Sequence, residues 1–399
     1  MLIEELEQLK NPEIFDIFLK NREKSSKELS LKLGKYDNIP HRAISEQVAC
    51  YQKAKIKLPH LIDKYLLFDK IALEQASSEV TAKFKASLIS GKKIIDLTGG
   101  LGIDDLFFST KFLKVTFCEI NEVLSKIFSY NLKQLQIKNI EIVNFDSIEH
   151  LKNKKDSSFD LIYIDPSRRD ANRRSVDLEY CTPNVFENMP LFFQKSKCVM
   201  IKVAPAYDIT EAVRKFPNLA EIFVVSVDGE CKEVLLILNK NNLEIKITAV
   251  SLNSKNDKIF IVSSKFSEKV NNEIANIQTY LYEPDCSIIK SNLTPILSKN
   301  FGLSFINHNS PFLTSTKLIN GFPGRKFKVI SSVIYNEKEV KKYLKINCIS
   351  KANVARRSFK LSVEEIRKVF KLKDGGDLYL FFTSDLNKRA IMIVTTKIN

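Results

Sequence analysis

The chain has 399 residues, with 62 Lys and Arg against 47 Asp and Glu, and a formal net charge of +15. This length suggests two to four domains, because a domain typically has about 100–200 residues. Hydrophobic residues make up 44% of the chain and include 27 Phe, which is enough for sizeable cores and excludes a wholly disordered chain. No run of about 18 apolar residues occurs and the N-terminus lacks a signal-peptide pattern, so we expect neither a membrane span nor secretion.

The seven cysteines lie far apart and form no C-x-x-C pair. A disulfide framework or a structural zinc site is therefore not expected, and buried packing in a reducing cytoplasm is the simpler interpretation. The four histidines are scattered as well, so we expect no metal. The charge excess has two explanations, a nucleic-acid partner or a general Lys-, Asn- and Ile-rich composition, and the positions of the charges must decide between them.

Helical spacing of apolar residues predicts helices over residues 1–90. From residue 92, short apolar runs alternate with amphipathic segments such as 121–135 and 184–196, which indicates βαβ units and a mostly parallel sheet. About seven strands are predicted between residues 92 and 240, the last two joined as an antiparallel hairpin by Asp228-Gly229-Glu230. The sequence therefore predicts an α/β fold preceded by a helical region.

The pattern changes again beyond residue 240. Apolar and polar residues alternate with period two in residues 243–250 and 257–264, whereas residues 270–322 show few clear elements. The final segment predicts a small α+β domain with strands at 327–335, 346–350, 378–382 and 389–395, and helices at 337–344 and 362–371.

A glycine-rich turn, Asp96-Leu-Thr98-Gly-Gly100-Leu-Gly102, follows the first strand of this pattern and precedes a helix. Glycines let the backbone turn tightly and approach a ligand, and the helix N-terminus that follows offers unpaired N–H groups. Glu119 ends the next strand, 23 residues after Asp96, where an acidic side chain accepts hydrogen bonds from ribose hydroxyls. The position three beyond Gly102 is Asp105, which fits a pyrophosphate badly.

The same segment resembles motif I of class I S-adenosylmethionine (SAM) methyltransferases, whose fold is a Rossmann-like seven-stranded sheet. The resemblance implies that SAM binds at Asp96, Thr98, Gly100 and Gly102, with Asp96 meeting the methionine ammonium. It also implies that Glu119 binds the ribose and that Asp146, after the third strand, meets the adenine amino group. Ligands bind at the carboxyl ends of the strands in open parallel sheets, so motifs at four successive strand ends reinforce one another. A ligand-free flavodoxin-like fold is the alternative.

Asp165-Pro166-Ser167-Arg168-Arg169 follows the fourth strand, at the position of motif IV. Methyltransferases that act on base amino groups carry Asp/Asn/Ser-Pro-Pro-aromatic there. The resemblance implies that Asp165 and the carbonyl of Pro166 orient an exocyclic amine. Arg168 replaces the aromatic residue, so we expect Arg168 and Arg169 to stack on the base or grip phosphate. A turn role for Asp165 and plain salt bridges for the two arginines are the alternatives.

Basic residues cluster in two further places. Arg173 and Arg174 lie in the loop after motif IV, which suggests a polyanionic substrate. Residues 323–373 hold 15 Lys and Arg against 4 Asp and Glu, and a merely solvated basic face is the alternative there. Lys202, at the end of the fifth strand, could line the substrate side, although strand-end packing is the simpler interpretation. The expected RNA-binding residues in the C-terminal segment are Arg325, Lys326, Arg356, Arg357, Lys371 and Lys373.

The segments DLTGGLGID, DPSRR, YLYEPD, FPGRKFKV and KLKDGGDLYLF together resemble the bacterial THUMP-like-domain class I methyltransferases. The resemblance implies a helical region (1–90), a methyltransferase domain (91–240), a ferredoxin-like domain (241–322) and a THUMP-like RNA-binding domain (323–399). It implies methylation of a base exocyclic amine in structured RNA, such as rRNA or tRNA. The alternatives are a non-catalytic RNA-binding or assembly protein, and a methyltransferase acting on a protein or a small molecule.

Overall fold

The structure, a computed structural model, describes residues 1–26, 28–29, 40–168, 178–240, 244–256 and 258–398. The chain divides into two compact units. The first unit comprises residues 1–220 and 234–243, and the second comprises residues 221–233 and 244–399.

The N-terminal part of the first unit is helical, as the apolar spacing predicts. Buried side chains such as Leu6, Phe18 and Val48 form one core with residues of the following sheet. Ser78 caps the last of these helices by accepting a hydrogen bond from the Thr81 backbone N–H at 3.4 Å. The helices are α1 (Ile3–Leu9), α2 (Pro12–Asn21), α3 (His41–Lys57), α4 (Lys70–Gln75) and α5 (Glu79–Leu88).

A sheet of mostly parallel strands follows in the first unit. β1 pairs in parallel with β2 on one side and with β4 on the other, β2 continues to β3, and β4 continues to β7. The part of β9 that belongs to this unit, residues 234–239, pairs antiparallel with β7. Parallel strands covered on both faces read as continuous apolar runs, as these do. The strands are β1 (Gly91–Asp96), β2 (Phe112–Cys118), β3 (Ile140–Val143), β4 (Phe159–Ile164), β7 (Ser196–Val203) and β9 (Glu230–Asn239).

Helices alternate with these strands. Asn or Asp side chains cap several of them, and Asn121, for example, accepts hydrogen bonds from the backbone N–H groups of Val123 and Leu124. The helices are α6 (Ile103–Phe108), α7 (Glu122–Gln134), α8 (Ser147–Lys152), α9 (Val185–Lys195) and α10 (Ile209–Lys215). A short antiparallel pair, which the sequence pattern does not predict, forms between β5 (Ser167–Arg168) and β6 (Cys181–Thr182).

The second unit contains two groups of strands. In the first group, β10 (Lys246–Leu252) pairs in parallel with β8 (Leu219–Val227) and antiparallel with β11 (Ile259–Lys265). The second group is a seven-stranded sheet in the order β13-β14-β12-β15-β18-β17-β16. Its strands are β12 (Tyr280–Pro284), β13 (Ser304–Phe305), β14 (Leu313–Ser315), β15 (Gly324–Ile334), β16 (Asn353–Arg356), β17 (Leu378–Ser384) and β18 (Ala390–Ile398).

Four helices accompany this sheet, and most of the predicted C-terminal elements are present. The predicted strand at 346–350 is wrong, because Ile346 is still helical and Cys348 has a φ of 53°, which is left-handed backbone rather than extended. The strand lies at Asn353–Arg356 instead. The helices are α11 (Cys286–Lys290), α12 (Thr294–Phe301), α13 (Glu337–Ile346) and α14 (Val363–Phe370).

Two negative findings concern the described residues. No helix among them is long and apolar enough to cross a membrane. Within the same residues, no group of three or more His, Cys, Asp or Glu is placed to hold a metal ion.

Candidate active site

The strand register brings the predicted site residues to one edge of the sheet. Asp96 lies opposite Phe117 of β2 and Tyr163 of β4. Glu119 and Asp165 each follow two residues after those partners, so both carboxylates lie beside the turn that leaves β1. This edge is the carboxyl end of the parallel strands, where open α/β sheets bind their ligands.

Thr98 joins the turn to motif IV. Its backbone N–H and hydroxyl both donate to Asp96 Oδ1, at 2.7 and 3.1 Å, and its hydroxyl oxygen accepts the Asp165 N–H at 2.7 Å. A single threonine therefore fixes the position of Asp165 relative to Asp96. These hydrogen bonds of Thr98 connect the C-terminal end of β1 with the residue that follows β4.

Two of the glycines in the turn pack against aromatic rings, whereas the third faces open space. An added Cβ would lie 2.2 Å from the Phe117 ring at Gly99 and 2.2 Å from the Phe128 ring at Gly102. At Gly100 it would find nothing closer than the Thr98 carbonyl oxygen, at 3.9 Å. The turn therefore packs against the Phe117 and Phe128 rings, whose centroids are 4.3 Å apart, and Gly100 leaves room for a ligand.

Glu119 is tied to the turn by both oxygens. Oε2 accepts the Gly100 N–H at 2.8 Å, and Oε1 accepts the Asn121 N–H at 2.7 Å. A carboxylate oxygen has a second lone pair, so each can still accept a hydrogen bond from a ligand hydroxyl. Glu119 is therefore held in place as an acceptor.

Asp146 is exposed, and its Oδ1 caps α8 through the N–H groups of Ile148 and Glu149, both at 2.9 Å. The sequence interpretation missed two exposed apolar residues that adjoin Glu119 and Asp146 along the chain. Ile120, directly after Glu119, is 73% exposed, and Phe145, directly before Asp146, is 56% exposed. An apolar residue adjacent to each strand-end acid is the signal that could have found them.

Asp96 and Asp105 form a buried pair of carboxyl groups under the turn. Asp96 is 2% exposed and Asp105 is fully buried. Burial raises the pKa of Asp96 to about 7. Burial and the neighbouring Asp96 charge raise the pKa of Asp105 well above its ordinary value. The raised pKa favours the protonated form of Asp105, which can donate a hydrogen bond to Asp96. As an ionised group, Asp105 has no hydrogen-bonding partner for either oxygen among the described residues.

Asp104, the next acid, has a different environment. Burial opposes its charge, but the nearby ammonium groups of Lys85 and Lys202 outweigh burial and hold the pKa of Asp104 below its ordinary value. The hydroxyls of Ser77 and Tyr163 donate to its Oδ2 at 2.9 and 2.8 Å. Asp104 is therefore an internal ionised group that fixes α6 against α5 and β4.

Asp165 pairs with a lysine from the neighbouring strand. Lys202 Nζ lies 2.5 Å from Asp165 Oδ2, with the lysine side chain 13% exposed and the aspartate side chain 40% exposed. Strand-end packing, the simpler interpretation of Lys202, does not include this ion pair. The pair leaves Asp165 Oδ1 without a hydrogen-bonding partner among the described residues, so this oxygen can accept from an incoming donor.

The predicted arginines beside motif IV fall mostly outside the described residues. Arg169, Arg173 and Arg174 lie outside them, and Arg168 is described only as backbone in β5. Pro166 is half-buried directly after Asp165.

The predicted basic residues of the second unit divide into paired and unpaired groups. Arg325 donates to Glu283 Oε2 at 2.7 Å, and Arg357 lies 3.7 Å from Glu283 Oε1. Arg356 donates to the Phe359 carbonyl oxygen at 2.9 Å. Lys371 and Lys373 are exposed, and no acidic side chain in the described part of the chain forms a salt bridge with them or with the half-buried Lys326.

Parts of both units match families of known proteins. Residues 77–204 match a family described as conserved hypothetical protein 95, residues 280–323 a ferredoxin-like domain, and residues 324–397 a THUMP domain-like family. The chain is similar to uncharacterized SAM-dependent methyltransferases from two strains of Mycobacterium tuberculosis, CDC 1551 and H37Rv. It is 20% identical to each over 324 residues, which cover 79% of this chain and 84% of each relative.

A solved structure matches over the whole length. A crystal structure of a protein assigned as a methyltransferase, from Porphyromonas gingivalis W83, has a TM-score of 0.84 and 26% identity, covering 100% of both chains. The chain is a SAM-dependent methyltransferase. The predicted fold class, and the predicted family with its ferredoxin-like and THUMP-like parts, are thereby confirmed. The domain boundaries stay a prediction.

The edge of the sheet in this methyltransferase fits SAM. We infer that Asp96 would supply the negative charge for its ammonium group, that the space at Gly100 would admit it, and that Glu119 would supply acceptors for two ribose hydroxyls. Ile120 and Phe145 would offer exposed apolar surface for the adenine ring of SAM. SAM, when bound, supplies a methyl group on a sulfonium whose thioether is a good leaving group. The protein's part is to bind, to orient and to keep the acceptor in line.

Two glycine substitutions separate the packing role of this turn from its ligand role. Gly102→Ala places a Cβ against Phe128 at a φ of +71°, so we expect it to lower the free energy of unfolding by about 2–4 kcal/mol. Gly100→Ala, at a φ of +59° in open space, should cost only about 1–2 kcal/mol of stability but should weaken SAM binding. Urea unfolding and calorimetric titration with SAM measure the two effects. Equal stability losses with unchanged SAM affinity would contradict this assignment.

Proposed function

We propose that this methyltransferase transfers the methyl group of SAM to an exocyclic amine of a base in structured RNA. The observation that carries the proposal is the placement of Asp165. Its backbone N–H is held by Thr98 next to Asp96, Lys202 contacts its Oδ2, and among the described residues its Oδ1 has no partner and can accept from an incoming donor. An amine needs such acceptors, because they orient its lone pair and take up the positive charge that develops on the nitrogen as it is methylated.

Lys202 gives Asp165 its orientation in this proposal. The ammonium contacts one carboxylate oxygen and leaves the other for substrate, so the carboxylate cannot rotate freely. It also neutralises the acid in the unliganded site, which lowers the cost of holding a half-buried negative charge. Lys202 is then a positioning residue, and the contact with substrate belongs to Asp165.

The basic surface of the THUMP-like segment supports an RNA substrate. Lys and Arg that lack an acidic partner are the ones that gain by meeting phosphate, because they lose no ion pair on binding. Among the residues that the structure describes, Lys326, Lys371 and Lys373 form no salt bridge with an acidic side chain, whereas Arg325 and Arg357 share Glu283. We therefore assign the phosphate contacts chiefly to the three lysines.

Removing two of these lysines should reduce the salt dependence of RNA binding. For Lys371→Gln/Lys373→Gln we expect the slope of log Kd against log salt to fall by about one to two units. A suitable control is Glu337→Gln/Lys341→Gln, which removes an ion pair from the same segment and leaves the net charge unchanged. Filter binding to total RNA across a salt series measures both. Equal slopes for the two double variants would show that Lys371 and Lys373 do not contact the RNA.

Methyl transfer to fractionated cell extract tests the proposal itself. The extract is taken from a strain that lacks the gene and is incubated with the purified methyltransferase and tritiated SAM. We expect acid-insoluble label that ribonuclease releases and protease does not. Label released by protease, or label only in the small-molecule fraction, would show instead that the substrate is a protein or a metabolite.

A further inference from the structure

The second unit contains two cysteines whose sulfur atoms are close enough to react with each other. The Sγ atoms of Cys231 and Cys286 lie 3.2 Å apart, within hydrogen-bonding distance for thiols. Cys231 is the second residue of β9, and Cys286 is the first residue of α11, 55 positions along the chain. Neither side chain is fully buried, so a small reagent can reach the pair.

The surroundings of the pair fix both partners. Asp285 caps α11 and accepts the Ser226 hydroxyl at 2.5 Å and the Ser251 hydroxyl at 3.2 Å, which ties the start of α11 to β8 and β10. Cys231 follows β8 across the two-residue turn Asp228-Gly229. The two sulfurs are therefore held by the packing of two elements rather than by a mobile loop. A disulfide needs an S–S distance of about 2.0 Å, so closure requires a movement of only about 1 Å.

We propose that Cys231 and Cys286 form a reversible dithiol–disulfide site that reacts with small disulfides such as oxidised glutathione. This site lies outside the SAM-binding residues and does not depend on the nature of the methyl acceptor.

The reaction proceeds by two thiol–disulfide exchanges. The Cys231 thiolate attacks one sulfur of the reagent disulfide, forms a mixed disulfide and releases one reagent thiolate. Cys286 then loses its proton and attacks Cys231 Sγ, which closes the protein disulfide and releases the second reagent thiolate. Two electrons pass from the cysteine sulfurs to the reagent, and the two thiol protons of the protein finish on the two reagent thiols.

The order of attack follows from the shared proton. The hydrogen bond between the two thiols lowers the pKa of Cys231. The same hydrogen bond, followed by burial, raises the pKa of Cys286. The thiolate is the nucleophile in disulfide exchange, so Cys231 is the attacking residue and Cys286 the resolving one.

Thiol counting and peptide mapping test the site on the full-length protein. After treatment with oxidised glutathione and quenching with N-ethylmaleimide, we expect the seven free thiols to fall to five. A tryptic peptide pair linking Cys231 to Cys286 should appear and should disappear with dithiothreitol. The matched control is Cys348→Ser, which removes the exposed cysteine and should show the same loss of two. Seven remaining thiols, or a linkage between other cysteines, would overturn the proposal.

Single variants test the order of attack. Cys286→Ser should accumulate a stable glutathione adduct on Cys231, because the resolving thiol is absent. Cys231→Ser should accumulate at least tenfold less adduct on Cys286 in the same time, because the attacking thiolate is absent. Equal adduct formation in the two variants would show that the cysteines react independently, and would overturn the paired site even where methyl transfer is unaffected.

Discussion

Replacing Asp165 with Ala should lower the rate of methyl transfer by about 10²–10³-fold, the usual effect of removing one group that stabilises developing charge. Affinity for SAM should stay nearly unchanged, because Asp165 meets the cofactor turn through its backbone N–H, which the substitution keeps. Single-turnover transfer and calorimetric titration with SAM measure the two quantities separately.

Two further variants show whether the charge or the shape of Asp165 matters. Asp165→Asn keeps an acceptor oxygen of the same size and should retain more activity than Asp165→Ala. Lys202→Met removes the ion pair while leaving the carboxylate, so kcat should fall less than in Asp165→Ala and KM for RNA should change little. If Asp165→Ala loses SAM binding and transfer in equal measure, Asp165 is part of the cofactor site rather than the acceptor for the amine.

Replacing Asp96 with Asn should weaken SAM binding by about 30–1000-fold, because it removes the negative partner of a buried ion pair formed with the ligand ammonium. Asp105→Asn is the matched control. Its amide donates a hydrogen bond as the protonated Asp105 carboxyl does, so SAM affinity should remain within a few-fold of wild type. Equal losses of SAM affinity in the two variants would contradict the assignment of the charge to Asp96 and of the proton to Asp105.

The pH dependence of SAM binding gives an independent test of Asp96. Its pKa, raised by burial to about 7, means that affinity should fall as the pH drops below 7, where Asp96 becomes protonated. An α-amino group titrates at about 7.7–8.0, so affinity should also fall above that range. We expect a maximum between the two values in the wild type and no acidic decline in Asp96→Asn.

The same raised pKa predicts how the unliganded protein responds to pH. Between the unfolded pKa of about 3.9 and the folded value of about 7, the folded state holds a proton that the unfolded state has lost. Stability from this group is therefore full below the lower value and decreases as the pH rises through the upper one. Asp96→Asn should flatten this part of the stability curve in urea titrations at a series of pH values.

The sequence predicted the parallel sheet well, because each buried strand is a continuous apolar run that ends at a polar or glycine-rich turn. It predicted the elements after residue 325 for the same reason, apart from the strand placed at 346–350. The sequence does not divide residues 270–322 into elements. The strands β13 and β14 in this segment have two and three residues, which is too short for any periodicity to be visible.

The candidate site was only partly accessible from sequence. The strand-end acids Asp96, Glu119 and Asp165 follow from their positions after apolar runs, because parallel strands place their carboxyl ends together. The partnership of Asp96 with Asp105 and that of Asp165 with Lys202 depend on distances across the sheet and the turn, and spacing along the chain does not encode these. Gly102 appeared equivalent to Gly100 in the motif, but the Phe128 ring occupies the space beside it.

Nucleoside analysis of RNA methylated by the pure enzyme identifies the atom that receives the methyl group. RNA from a strain lacking the gene is treated with the methyltransferase and isotopically labelled SAM, digested to nucleosides and separated by liquid chromatography with mass spectrometry. We expect a labelled methyl on an exocyclic amine, present with wild type and nearly absent with Asp165→Ala. Label on a ring carbon, a ring nitrogen or the ribose, or the same yield from Asp165→Ala, would contradict it.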